Sequence, residues 1–201
     1  MKTILKLYFR LLFTGSLVSL FLGGCTQNNE QTEAPTHDRE LSSESIYQFT
    51  GEWQNQNGDT LQLSKFHGKI PVVAMVFTQC KFACTRIVAD IKNIEKEIPK
   101  DKKDKVVFIL VSFDSERDQP ARLKEFASEM QLDDRWVLLH GNEADVRELS
   151  MLLNVKYKKQ PNGDFAHSNG ITVLNTQGEV AHQHEGLGVA PDETIKAIKE
   201  L

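Results

Sequence analysis

The run Val72-Val73-Ala74-Met75-Val76-Phe77 is apolar without alternation, the pattern of a strand buried on both faces. Ile87, Ile91, Ile94 and Ile98 then recur at helical spacing until Pro99, which predicts a helix ending there. The two periods go on alternating. Val106–Val111 predicts a second buried strand. Pro120 opens a helix with Leu123, Phe126, Ala127 and Met130 on its apolar face. Trp136–Leu139 predicts a short strand, and Val146, Leu149, Leu152 and Leu153 mark a further helix. Gly170–Leu174 and Glu179–His184 flank Asn175-Thr176-Gln177-Gly178 and predict a closing hairpin, followed by a helix over Asp192–Lys199. Upstream, Tyr47–Trp53 and Leu61–Leu63 are alternating segments around the turn signal Asn57-Gly58-Asp59. Strands alternating with helices, then a hairpin and a last helix, predict an α/β fold with a central mixed sheet flanked by helices.

The first 45 residues follow different rules. Lys2, Lys6 and Arg10 precede the apolar run Leu11–Leu22, and Leu22-Gly23-Gly24-Cys25 places small residues before a cysteine. This is the layout of a secretory signal peptide ending in a bacterial lipobox, with Cys25 as the acylated first residue of the mature chain. An uncleaved membrane anchor is the alternative, although the run falls short of the roughly 20 apolar residues that a span requires. Either way the remaining chain is expected outside the cytoplasm and held at a membrane. Residues 25–45, with Gln27, Asn28, Asn29, Glu30, Gln31, Glu33 and Pro35, are too polar to bury a core and read as a flexible tether. Residues 46–201 suit one globular domain. The formal net charge of −4 gives no electrostatic case for a nucleic-acid partner, and Lys100–Lys105 alternates in sign like a solvated loop.

The chemistry concentrates at Cys80 and Cys84, a C-x-x-x-C pair just past the first buried strand. Two thiols at i and i+4 share a face if one helix includes both. They could close a disulfide or chelate a soft metal ion. A structural staple is the weaker reading, because closing so short a loop constrains the unfolded chain little. A cysteine at a helix N-terminus is stabilised as thiolate, the form that attacks disulfides and binds metal, and Cys80 is expected there. A strand, a cysteine pair at a helix start and a later hairpin make up the thioredoxin arrangement. Two thiolates with one imidazole suit Cu(I), and a further ligand or water would extend the set to Cu(II). Among the histidines, His37 falls in the tether, His67 in a turn and His140 at a strand end. His182 and His184 alternate along the last strand and face one side, as an accessory metal pair or as a solvated face. His167 precedes Ser168-Asn169-Gly170, on a loop that a thioredoxin fold brings towards the cysteines.

Five segments, in order, resemble the Sco/SenC family of copper-binding, thioredoxin-like proteins. They are Leu63–Lys69, Phe77–Cys84 with its C-x-x-x-C, Val111–Pro120 with Asp114 and Arg117-Asp118-Gln119-Pro120, Phe165–Ser168, and Val173–Glu179. The resemblance implies that Cys80, Cys84 and His167 are copper ligands. It makes Asp114 a candidate for supporting the ligands from behind or ordering their loop, with a simple turn or helix-capping role before Pro120 as the alternative. It further implies a copper chaperone for the copper-centre subunit of cytochrome c oxidase, with an extracytoplasmic thiol reductant as second partner, since the ligands must be reduced to bind. The chain departs from the family where prolines usually follow each cysteine, having Lys81 and Thr85, and where an acidic residue usually precedes the histidine, having Ala166.

Three rivals use the same residues. A thiol–disulfide reductase would attack with Cys80 and resolve with Cys84, without a histidine. A peroxidase would need Thr78 or Arg86 to activate the thiol, and a copper sensor would use the metal site without delivering the ion.

Overall fold

The computed structural model describes residues 41–201. The leader, Cys25, His37 and most of the expected tether lie outside the described residues. Among those described, a seven-stranded mixed sheet runs in the order β2-β1-β5-β4-β3-β8-β9, and a two-stranded hairpin, β6-β7, stands apart from it.

The centre is built from the longest apolar runs. β3 (Ile70–Val76) and β4 (Val106–Ser112) pair in parallel from Ile70 opposite Val106 to Val76 opposite Ser112, and every residue of β3 is buried. β5 (Trp136–His140) continues the parallel set beside β4. α1 (Ala83–Glu97) and α2 (Pro120–Glu129) are the two crossovers, with Pro120 in the first turn of α2, where its missing N–H costs no helix bond. Ile87, Ile91 and Ile94 of α1 are almost fully buried, as their spacing predicts. α3 (Glu143–Leu152) follows β5, capped by Asn142, whose side chain accepts from Asp145 N–H. The closing hairpin, β8 (Gly170–Leu174) and β9 (Val180–Glu185), adds antiparallel strands on the β3 side, and α4 (Asp192–Glu200) packs back on it. No helix among the described residues is long and apolar enough to cross a membrane.

The N-terminal hairpin is shorter than its alternation suggests. β1 (Trp53–Asn55) and β2 (Thr60–Leu61) pair around the Asn57-Gly58-Asp59 turn, but Ile46–Gln48 and Leu63–Phe66 are 3-10 turns. Side-chain bonds decide the first of these. Ser45 Oγ accepts from Tyr47 N–H, and the buried Tyr47 hydroxyl donates 3.0 Å to the Phe66 carbonyl. In the second turn Leu63 and Phe66, three residues apart, both point into the core. Leu152 also departs from expectation. It is 47% exposed, whereas Leu153, one residue past the helix and four past Leu149, is buried in its place.

β6 (Tyr157–Lys159) and β7 (Phe165–His167) form a second hairpin that the hydrophobic pattern does not announce. His167 therefore ends a strand, paired with Tyr157, instead of lying on a free loop. Tyr157 and Phe165 stack with Phe113, just past β4, and so hold the hairpin over the end of the sheet that carries the cysteines.

Candidate metal centre

Cys80 and Cys84 do not share one helical face. α1 begins at Ala83, so Cys84 lies in its first turn and Cys80 precedes it in the turn that leaves β3. The helix start nonetheless serves the outer sulfur, because Cys84 N–H donates to Cys80 Sγ at 3.3 Å. That bond leaves the first thiol facing the positive end of the helix dipole. Cys84 is fully buried, and Phe77 N–H donates to its Sγ at 3.4 Å. Burial pushes the Cys84 thiol well above its ordinary range; the Phe77 bond opposes this and Cys80 adds to it. Both cysteines are free thiols.

His167 completes the group. Its Nε2 lies 3.9 Å from Cys84 Sγ, and its Nδ1 lies 3.0 Å from the Ser168 carbonyl. A carbonyl only accepts, so Nδ1 carries the proton and Nε2 presents its lone pair to the sulfur side. The ring is walled by Phe113, at a centroid distance of 5.1 Å, and by the edge of Phe77 at 6.1 Å. One donor atom from each of Cys80, Cys84 and His167 lies within 4.8 Å of the others. Thiolate and imidazole donors held roughly 2.0–2.3 Å from one ion sit no more than about 4.6 Å apart. The residues thus fit a three-coordinate soft ion with little movement. A groove of about 610 Å³ beside the β6-β7 hairpin is lined by none of these donors.

Two acids hold the site's scaffold without touching the three donor atoms. Asp114 is buried, accepts from Arg117 N–H at 3.1 Å and is ion-paired with the Arg117 guanidinium. It does not cap α2, whose N-cap is Gln119. Arg117 in turn donates to Gln79 Oε1 at 3.2 Å, beside Cys80, and to the Gly163 carbonyl in the β6-β7 turn. One guanidinium so links the cysteine loop to the hairpin that carries His167. Asp118 is fully buried and accepts from Thr78 N–H at 2.9 Å, Thr78 Oγ1 at 2.6 Å and Ser112 Oγ at 2.5 Å. It fixes the backbone two residues before Cys80. Asp118 and Arg117 were not singled out from the sequence; their only signal there is the Arg-Asp-x-Pro segment.

The residues that depart from the family pattern sit outward. Lys81 and Ala166 are exposed, and Thr85 Oγ1 donates to the Phe82 carbonyl at 2.8 Å. Of the remaining histidines, His67 is exposed against Gln177, and His140 closes β5 opposite Gln54. His182 and His184 lie on β9 and do not join the Cys-Cys-His group.

A parallel-centred mixed sheet, a cysteine pair at the start of the first crossover helix and a histidine from a later hairpin define a thioredoxin-like protein with three donors that could hold a soft metal ion. A sequence model of the SCO1/SenC family matches residues 41–201, and the chain belongs to that family. Among solved structures, it is 27% identical to a SCO1/SenC family lipoprotein from Bacillus anthracis, covering 75% of this chain and 91% of that one at a TM-score of 0.68. It is 26% identical to Bradyrhizobium japonicum ScoI with copper bound, covering 75% and 96% at 0.64. It is 27% identical to BsSco, a member of the Sco family of cytochrome c oxidase assembly proteins described as having a disulfide switch, covering 74% and 89% at 0.64.

Proposed function

We propose that this protein is an extracytoplasmic copper chaperone that binds one copper ion through Cys80, Cys84 and His167 and delivers it to the copper-centre subunit of cytochrome c oxidase. The observation that carries the reading is the convergence of two thiols and an Nε2 lone pair within 4.8 Å, with the imidazole tautomer fixed by the Ser168 carbonyl. Two sulfurs and one imidazole are a low-coordinate soft set, the donor chemistry of Cu(I), and a water would extend it to Cu(II). Copper must displace the proton that burial holds on Cys84, so loading is coupled to proton release. The pair must also be reduced, which gives an extracytoplasmic dithiol reductant a place as partner.

Family membership and the copper-bound ScoI neighbour support copper as cargo, and BsSco supports oxidase assembly as the setting. The Leu22-Gly23-Gly24-Cys25 segment and the likeness to a Bacillus anthracis lipoprotein support residues 1–24 as a leader, lipidation at Cys25 and a tether up to the folded domain. A metal-free thiol reductase would leave the placement and tautomer of His167 without a purpose. The test is transfer: copper-loaded full-length protein in detergent, mixed with the reduced, copper-free soluble domain of the oxidase subunit, should pass its ion on. A loaded protein that retains all its copper contradicts delivery.

A further inference from the structure

His182 and His184 stand two residues apart on β9 and face one side of the strand, with ring centroids 6.2 Å apart. The Nε2 atom of each is buried and has no hydrogen-bond partner, which is unusual for an imidazole nitrogen inside a protein. His184 Nδ1 lies 3.0 Å from the buried Thr194 hydroxyl, which holds the ring from its far side. Metal-binding imidazoles are commonly oriented in this way, through the nitrogen that does not bind. Both rings line a cavity of about 350 Å³, whose rim carries Asp192 and Glu193 from the first turn of α4. Burial and the neighbouring His182 ring depress the His184 pKa, because both disfavour the charged ring. The nearby Asp90 is already engaged, accepting from Arg86 Nε at 3.0 Å and Gly188 N–H at 2.8 Å.

We propose that His182 and His184 form a second metal site, for a borderline divalent transition-metal ion of which Cu²⁺ binds most tightly, with the two Nε2 atoms as ligands and water completing the coordination. Two nitrogens at about 2 Å from one ion lie at most about 4 Å apart, and ring centroids 6.2 Å apart leave room for that separation only with the two Nε2 corners facing each other. Imidazole without thiolate favours Cu²⁺ over Cu⁺, so this site differs in preference from the Cys-Cys-His group. The carboxylates of Asp192 and Glu193 lower the cost of placing a dication in the cavity.

The experiment is a Cu²⁺ titration of the tagless full-length chain in detergent carrying Cys80→Ser, Cys84→Ser and His167→Ala, which removes the first site and leaves β9 unchanged. The expected result is one bound equivalent with nitrogen hyperfine splitting in its paramagnetic resonance spectrum, weakened at least tenfold by either His182→Asn or His184→Asn. No bound equivalent, or one indifferent to both substitutions, overturns the proposal. A second measurement needs no change on β9. In the triple variant, substoichiometric Cu²⁺ should broaden the ring proton signals of His182 and His184 before those of His67 and His140. Broadening that begins at His67 or His140, or is uniform, overturns it as well.

Discussion

Asp118→Ala should cost this protein much of its stability and loosen the Cys-Cys-His group, although Asp118 touches none of its three donor atoms. The substitution strips the acceptor from three donors, Thr78 N–H, Thr78 Oγ1–H and Ser112 Oγ–H. Thr78 is 7% exposed and Ser112 1%, so water replaces the carboxylate poorly. A hydrogen bond to a charged group contributes about 1.5–3 kcal/mol, and a buried donor left unmet costs about 1–3 kcal/mol. The three bonds share one carboxylate, and its own desolvation cost disappears with it, so the net loss is about 3–5 kcal/mol. At about 2–4 °C per kcal/mol for a chain of this size, the melting temperature should fall by roughly 6–20 °C. Asp118→Asn keeps one acceptor and should lose about half as much. Urea unfolding followed by far-UV circular dichroism reads the loss as a lower midpoint at constant slope. An Asp118→Ala midpoint within about 1 kcal/mol of the parent would refute the claim that this carboxylate anchors the cysteine loop.

Further outcomes follow from the same geometry. Arg117→Ala removes the guanidinium that joins Gln79 to the Gly163 carbonyl and leaves the buried Asp114 without its ion pair. It should cost about 2–3 kcal/mol in urea unfolding and weaken copper binding by about tenfold in a chelator competition. Gly178→Ala places a Cβ at 2.7 Å from the Tyr47 ring at a φ of +81°, and should lower stability by about 2–4 kcal/mol, read by thermal melting. His140 and His184 both titrate below the ordinary value of 6.5 because burial disfavours the imidazolium, whereas the unfolded chain takes up those protons near 6.5. The unfolded state then binds more protons, so stability is fully present above pH 6.5 and falls as the pH drops below it. Urea midpoints at pH 7.5 and 5.5 check this; a midpoint that does not fall contradicts it.

What the sequence made legible was whatever is written locally. The β3 and β4 runs are apolar on both faces, the α1 isoleucines keep a strict period, and two cysteines four residues apart stand out in any reading. The thioredoxin-like order of elements followed from these. The β6-β7 hairpin was missed because its strands are short and polar, Tyr-Lys-Lys and Phe-Ala-His, although Pro161-Asn162-Gly163 between them is a turn signal. Its place is set by stacking on Phe113, a contact no local pattern encodes. Asp118 was missed for the same reason. An acid among Glu116, Arg117 and Gln119 looks solvated, and only the fold brings Thr78, 40 residues away, onto its oxygens. Tyr47–Trp53 shows the opposite error, where alternation resembled a strand and Ser45 together with the Tyr47 hydroxyl turned the chain into a 3-10 turn.

The most direct test of the central claim is a Cu(I) titration, under reducing conditions and against a competing chelator, of the full-length chain beside Cys80→Ser, Cys84→Ser and His167→Ala. Loss of a residue that merely orients a metal ligand costs about 10–100-fold in affinity, so loss of a direct ligand should cost at least that. One tightly bound equivalent in the parent, weakened to this degree in all three variants, is the predicted result. A parent that binds no copper, or a His167→Ala protein that binds it as tightly as the parent, would contradict the account.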